Sequence, residues 1–179
     1  MVPLYKKLLG KTFEQLPEQL QLLHDLTTPQ KWHGIAQVRR GTGLISRLIA
    51  VFLGLPKQAD ETPVTVTLTP QNRHESWVRN FGGKILPSEQ FVGTGRYQGL
   101  LLERIGLMTI ALELVVKDQR LYLIPRHWNL MGIPLPKILL PAGNTFEEQK
   151  DGVLRFNVEM NAPLVGLIVS YKGWLKQAP

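Results

Sequence analysis

Apolar positions recur at helical spacing early in the chain and at alternating spacing afterwards. In "PEQLQLLHDL", Leu20, Leu23 and Leu26, with Leu22 beside them, form one stripe and predict a helix. Thr12 and Gln15 stand at the spacing of a capping box, and Pro17 suits the first turn of the helix that follows, so residues 1–30 read as helical. From Trp32 the period is two. "WHGIAQVRR" sets Ala36 and Val38 against Gln37 and Arg39, and "TPVTVTLTP" sets Val64, Val66 and Leu68 against Thr65, Thr67 and Thr69. Such alternation predicts half-buried strands.

The alternation continues to the end of the chain. "ESWVRNF" places Trp77, Arg79 and Phe81 on one face and runs into Gly82-Gly83, while the proline of "KILPSEQFV" suggests an edge or a bend. "GLLLERIG", "LMTIALELVVKD" and "LYLIPRHW" follow, then a crossover, "MGIPLPKILLP", too interrupted by proline to be a regular strand. "NTFEEQK" and "VLRFNVEM" flank an Asp151-Gly152 turn as a hairpin, and "GLIVSYKGWL" comes last. These make about ten short strands, with gaps too small for parallel crossovers. A sheet of that size curls into a barrel or wraps round a helix to cover its edges. The expected fold is mainly β (α+β): a curved antiparallel sheet forming a barrel or helix-grip over residues 1–179, with N-terminal helices and an apolar helix inserted after the first strand.

That insert, "RRGTGLISRLIAVFLGLP", admits three readings. Gly41-Thr42-Gly43 follows a strand and opens a helix, and Glu61 lies about twenty residues on, as in a dinucleotide site. Ser46 takes the third glycine position, however, and the next strand is threonine-alternating rather than apolar on both faces. An anion site built from Arg39, Arg40 or Arg47 at the helix start is a looser version. The second reading is a membrane helix, but twelve residues containing Arg47 are too few to span a bilayer. Leu44, Ile45, Leu48, Ile49, Val51, Phe52, Leu53 and Leu55 cover a wide arc, against a narrow face of Ser46, Arg47, Ala50 and Gly54. A helix apolar over so wide an arc is expected to be buried, as a core element or as a lid over a cavity. Peripheral membrane contact is the less favoured alternative.

Composition changes this picture little. With 44% hydrophobic and 20% charged residues in 179, the chain suits one globular domain. The net charge of +7 is scattered, with no basic stripe interleaved with aromatics, so nucleic acid is not an expected partner. No cysteine is present, which excludes disulfides and thiolate metal sites. The first residues lack the continuous apolar run of a secretory leader, so a cytoplasmic location is expected.

Candidate chemistry is sparse. His24, His33, His74 and His127 show no paired metal-ligand spacing, and neither a metal nor another cofactor is expected. No nucleophile elbow or P-loop occurs, and no catalytic residue is assigned. Glu147 and Glu148 are neighbours on a strand and point to opposite faces. The informative residues are charges and aromatics set into apolar strands: Trp77, Arg79, Glu103, Arg104, Arg126, His127 and Trp128. An inward arginine in a barrel can hold a ligand carboxylate or phosphate, but each of these charges can equally point outward into water, because strand residues alternate. Arg155, Asn157 and Glu159 share a face expected to be exterior, whereas Tyr171 lies on the face of Val169 and is expected inside.

The stretches "WHGIAQVRRGTGLISRLIAVFLGLP", "VTVTLTP", "ESWVRNFGG", "LLLERIG", "GIPLPKILLP", "DGVLRFNVEM" and "PLVGLIVSYKGWL", in this order and spacing, resemble the uncharacterised family catalogued as domain of unknown function 4166. Members of that family occur alone or behind a saccharopine-dehydrogenase-like NAD(P)-binding domain. The resemblance therefore implies a possible oxidoreductase partner, and it carries over no active-site residue. The leading expectation is a non-enzymatic binding protein. Its barrel would hold a hydrophobic or amphipathic small molecule in a cavity of about 300 Å³ or more, lidded by residues 44–55. Arg39, Arg40, Arg47, Phe52 and Tyr171 join the strand-embedded residues as candidate ligand contacts. An accessory subunit of an oxidoreductase is the alternative, and it requires Glu103, Arg104, Arg126, His127 and Tyr171 to share one cleft. A membrane-surface or protein-interaction module is the third reading.

Overall fold

A computed structural model describes residues 2–178. The chain begins with α1 (Leu4–Leu9), a 3-10 turn over Gly10–Gln15 and α2 (Glu18–His24). Next come β1 (Gln30–Arg40) and α3 (Leu44–Phe52), followed by β2 (Ala59–Pro70), β3 (His74–Phe81), β4 (Lys84–Val92), β5 (Leu101–Ile105) and β6 (Met108–Lys117). The last strands are β7 (Arg120–Leu130), β8 (Ile133–Pro134), β9 (Phe146–Lys150), β10 (Val153–Ala162) and β11 (Gly166–Gln177). Thr12 falls inside the 3-10 turn and caps nothing, and Leu22 faces solvent while Leu20, Leu23 and Leu26 are buried.

Antiparallel pairing runs in the order β6-β5-β4-β3-β2-β1-β11-β10-β9-β7, and β6 also pairs with β7. The sheet therefore closes on itself as a ten-stranded barrel, with β8 appended to the end of β7. Closure decides between the barrel and the helix-grip, and it removes the free edges that a sheet of this size would otherwise carry. The strand prolines sit where the ladder tolerates them. Pro87 lies on the stretch of β4 that β5 does not reach, and Pro125 lies at the irregularity between β6 and β7.

Strands alternate in direction, so the connections gather at two ends. At the first end the N-terminal segment packs across the barrel. Tyr5, Leu20, Leu23 and His24 are fully buried there, and the Leu4 N–H donates to Glu75 Oε1 at 3.1 Å. At the second end lie α3, the Gly82-Gly83 turn, the Gly106-Leu107 turn, the crossover over 131–145 and the turn over 163–165. That crossover fills the one irregular wall. β7 and β9 share only the pairs Arg120↔Glu148, Leu121↔Glu147 and Tyr122↔Phe146, and beyond them the Leu123 N–H donates to Thr145 O and Ala142 bridges to Asn161.

The inserted helix overturns the buried-helix expectation. α3 buries its narrow small-residue face: Ser46 and Ala50 are 1% exposed, and Ser46 Oγ–H donates to Leu167 O of β11 at 2.7 Å. Its wide apolar face points to solvent, with Leu44, Ile45 and Leu48 exposed, Val51 72% exposed and Phe52 67%. Only Ile49, Leu53 and Leu55 carry apolar bulk towards the core. Close docking on the small face explains the choice. A Cβ added to Gly41 would lie 1.7 Å from Leu167 O and 2.2 Å from Ser46 Oγ, so the chain there approaches β11 more closely than any side chain permits. Gly43 has open space around it and makes no such demand. No helix among the described residues is long and apolar enough to cross a membrane.

Candidate functional site in the barrel interior

Alternation on β3 turns Trp77, Arg79 and Phe81 inward, and alternation on β4 does the same for Leu86, Ser88 and Gln90. Trp77 stands opposite Ser88 across β3 and β4, and Gln90 opposite Glu103 across β4 and β5. Diagonal neighbours therefore meet. One Arg79 Nη donates to Ser88 Oγ at 2.7 Å and the other to Glu103 Oε1 at 3.0 Å, while the Ser88 hydroxyl donates to the same Glu103 oxygen at 2.8 Å. The guanidinium also lies over the Trp77 ring, 5.2 Å from its centre. Burial works against the charge on Arg79, yet Glu103, Tyr171 and Tyr5 together more than offset it, so its pKa stands above the ordinary value. Tyr171 comes in from β11 and rests edge-on against Phe81. Burial raises its pKa, Arg79 pulls it back and Glu103 pushes it up again.

A second polar group closes the barrel below this one. Tyr5 stacks on His24 with ring centres 3.7 Å apart, and the Tyr5 hydroxyl donates to Gln90 Oε1 at 3.1 Å. His24 Nε2 lies 2.5 Å from Glu147 Oε2, and His24 Nδ1 is buried with no partner among the described residues. Glu147 and Glu148 do diverge: Glu147 turns inward to His24 and Glu148 outward to Arg120. Glu75, nearly enclosed, accepts from the Leu4 N–H and from Trp77 Nε1–H. Desolvation raises its pKa, and those two hydrogen bonds only partly restore it.

The space between these groups has a volume of about 130 Å³. It reaches from Tyr5 and Leu23 at the closed end to Ile105, Pro141 and Met160 near the other, and its wall is mostly apolar. The cavity is smaller than the expectation of about 300 Å³ required, because Trp77, Phe81, Phe156 and Tyr171 fill much of the lumen. A larger hollow of about 520 Å³ lies outside, on β1, β2, β9, β10 and β11. It is open, and Asp60, Glu148, Arg155 and Lys172 line it with mixed charge beside Trp174.

The sequence candidates divide sharply. Trp77, Arg79, Glu103 and Tyr171 converge inside the barrel. Arg104 and Arg126 point outward to Glu89 and Glu113 respectively, and His127 lies on the outer side under the Tyr97 ring. The single cleft required of an oxidoreductase subunit is therefore not formed, since only Glu103 and Tyr171 of its five residues face inward. Trp128 braces the crossover by donating its indole N–H to Pro136 O at 3.1 Å. Arg39 pairs on the surface with Asp60 at 2.9 Å, and Arg47 and Phe52 are exposed on α3. Arg40 donates to the carbonyls of Leu55 and Pro56 and so holds the end of the insert, which leaves it committed to the backbone rather than to a ligand. Arg155 and Asn157 are exterior as expected, but Glu159 also reaches the cavity beside the irregularity at Met160 and Asn161. Ser88, Gln90, Tyr5 and His24 were not singled out as site residues. The alternation of Leu86, Ser88 and Gln90 held the signal for two of them, whereas Tyr5 and His24 reach the lumen only by tertiary packing.

A family model described as a domain of unknown function (DUF4166) matches residues 16–175. No curated protein and no solved structure matches the chain.

Proposed function

The chain belongs to the DUF4166 family, and on the closed barrel that carries this family's sequence we propose a binding protein for a small, uncharged amphipathic molecule held inside the barrel. The supporting observation is the Arg79–Ser88–Glu103 cluster facing a mostly apolar space. A volume near 130 Å³ suits one ring or a short aliphatic segment, since an apolar cavity of about 150 Å³ accepts benzene. The charge pattern selects the polar end. Among the described residues Arg79 is the one cation that lines the cavity, and it already faces Glu103, with Glu147 and Glu159 also on the wall. A ligand carboxylate meets more repulsion than attraction there, which replaces the expectation of anion capture. A hydroxyl can donate to a Glu103 oxygen and accept from Arg79 or Tyr171.

Isothermal titration calorimetry tests the reading with two probes of one size. Cyclohexanol gives saturable heat, cyclohexanecarboxylate gives much less, and Leu112→Phe, which fills the cavity, removes the signal. Equal heats for both probes, or no heat from either, would overturn it.

A further inference from the structure

Apart from Val2 and Leu22, every exposed large apolar side chain among the described residues lies at the barrel end that carries α3. They come from separate segments: the α3 face, Ile85 beside the Gly82-Gly83 turn, Leu107, the crossover residues around Ile138, and Leu164, which is fully exposed. A backbone hydrogen bond and a side-chain approach tie these segments together. The Met131 N–H donates to Leu107 O at 2.8 Å, and Gly54, just past α3, lies beside Lys84. Leaving a side chain such as Phe52 or Ile138 in water forgoes the gain that burial brings elsewhere in this chain, and the patch is spread over one whole end rather than folded into a groove.

Charge identifies what covers it. Among the described residues Arg47, Lys57, Lys84 and Lys137 surround the apolar side chains without an ion pair. The acids at this end are Asp60, already held by Arg39, and Glu61, with Glu159 turned to the interior. A second copy of this chain would bring the same cations face to face. An anionic bilayer offers both counter-charge at its headgroups and an apolar layer beneath, and a short helix with an exposed apolar face is the element that lies in such an interface.

We propose that the α3 end of the barrel docks on the surface of an anionic lipid bilayer, with the α3 face and the loop tips in the interface and Arg47, Lys84 and Lys137 at headgroup level. This stands apart from the interior binding reading, because docking needs no occupant in the barrel.

Co-sedimentation with vesicles tests it, using phosphatidylcholine alone and phosphatidylcholine mixed with phosphatidylglycerol. The full chain is expected to pellet with the anionic vesicles and weakly with the neutral ones. The double variant Leu48→Asp/Phe52→Asp, and separately Arg47→Glu/Lys84→Glu, lower binding about tenfold or more. All four side chains are exposed, so circular dichroism and the melting temperature of both variants should match the parent protein. A protein that stays in the supernatant with both vesicle types overturns the proposal. So does a chain that forms dimers by light scattering and becomes monomeric in Leu48→Asp/Phe52→Asp, because a second copy then covers the face.

Discussion

Arg79 and Glu103 meet inside the barrel at 3.0 Å, each about one-seventh exposed, with Ser88 bonded to both. Neither charge reaches bulk water freely, and each depends on the other. Arg79→Met leaves Glu103 in the lumen without its partner and is expected to cost about 3–5 kcal/mol in urea unfolding. The double variant Arg79→Met/Glu103→Leu removes both charges and should cost clearly less than Arg79→Met alone. A double variant as unstable as the sum of the singles would show that the two side chains act independently.

Gly41 sets how closely α3 approaches β11. Gly41→Ala places a methyl group against Leu167 O and Ser46 Oγ, and the backbone must move to admit it. The expected loss is about 1–3 kcal/mol in thermal or urea unfolding. Gly43→Ala meets open space and should stay close to the parent protein. Equal losses at the two positions would contradict close packing at Gly41.

These two sites mark what was readable in the chain. Alternation put Trp77, Arg79 and Phe81 on one face of β3, but Val78 on the other face and the charge on Arg79 left open which face turns inward until pairing with β2 and β4 fixed it. The strand-embedded charges were ambiguous for a physical reason. Glu103 and Arg104 are adjacent, so one must face in and the other out, and only the pairing of Gln90 with Glu103 across β4 and β5 decides which. α3 misled because apolar arc width predicts burial only when large side chains give the best contact. Here small residues allow the backbone itself to come close, as Ser46 and Ala50 do, and the large side chains are left outside. The closed end was not legible at all, since Tyr5, His24, Gln90 and Glu147 are brought together from four distant segments.

Glu75 makes stability at acid pH depend on one buried carboxyl. Its pKa is raised by desolvation, so the folded state holds the proton more tightly than the unfolded state does. The contribution to stability is complete below the ordinary carboxylate range and is lost as pH rises through the raised value. Melting temperatures of Glu75→Gln and the parent protein should therefore lie closest at the acid side of that window, with the variant gaining on the parent as pH increases to neutral. A difference that does not vary with pH would contradict the raised value.

Tyr5 ties the N-terminal segment to the barrel wall through its hydroxyl bond to Gln90 and its stack on His24. Tyr5→Phe keeps the ring and removes the hydrogen bond, leaving the buried Gln90 oxygen without that donor, and should cost about 1–3 kcal/mol. Tyr5→Ala also empties the space under Trp77 and should cost about 3–5 kcal/mol. Amide hydrogen exchange separates the effects. Faster exchange in α1 and α2, with β2 and β3 still protected, is the result expected for Tyr5→Phe, and uniform acceleration across the barrel would contradict a local role.

The most direct test of an interior binding site is a titration of the isotopically labelled protein with cyclohexanol, followed by amide chemical shifts. The expected result is a saturable shift centred on Ser88, Glu103 and Tyr171, with Arg39, Arg104 and Arg126 on the outer surface unmoved. No saturable shift, or shifts confined to the outer hollow around Arg155 and Trp174, would contradict it.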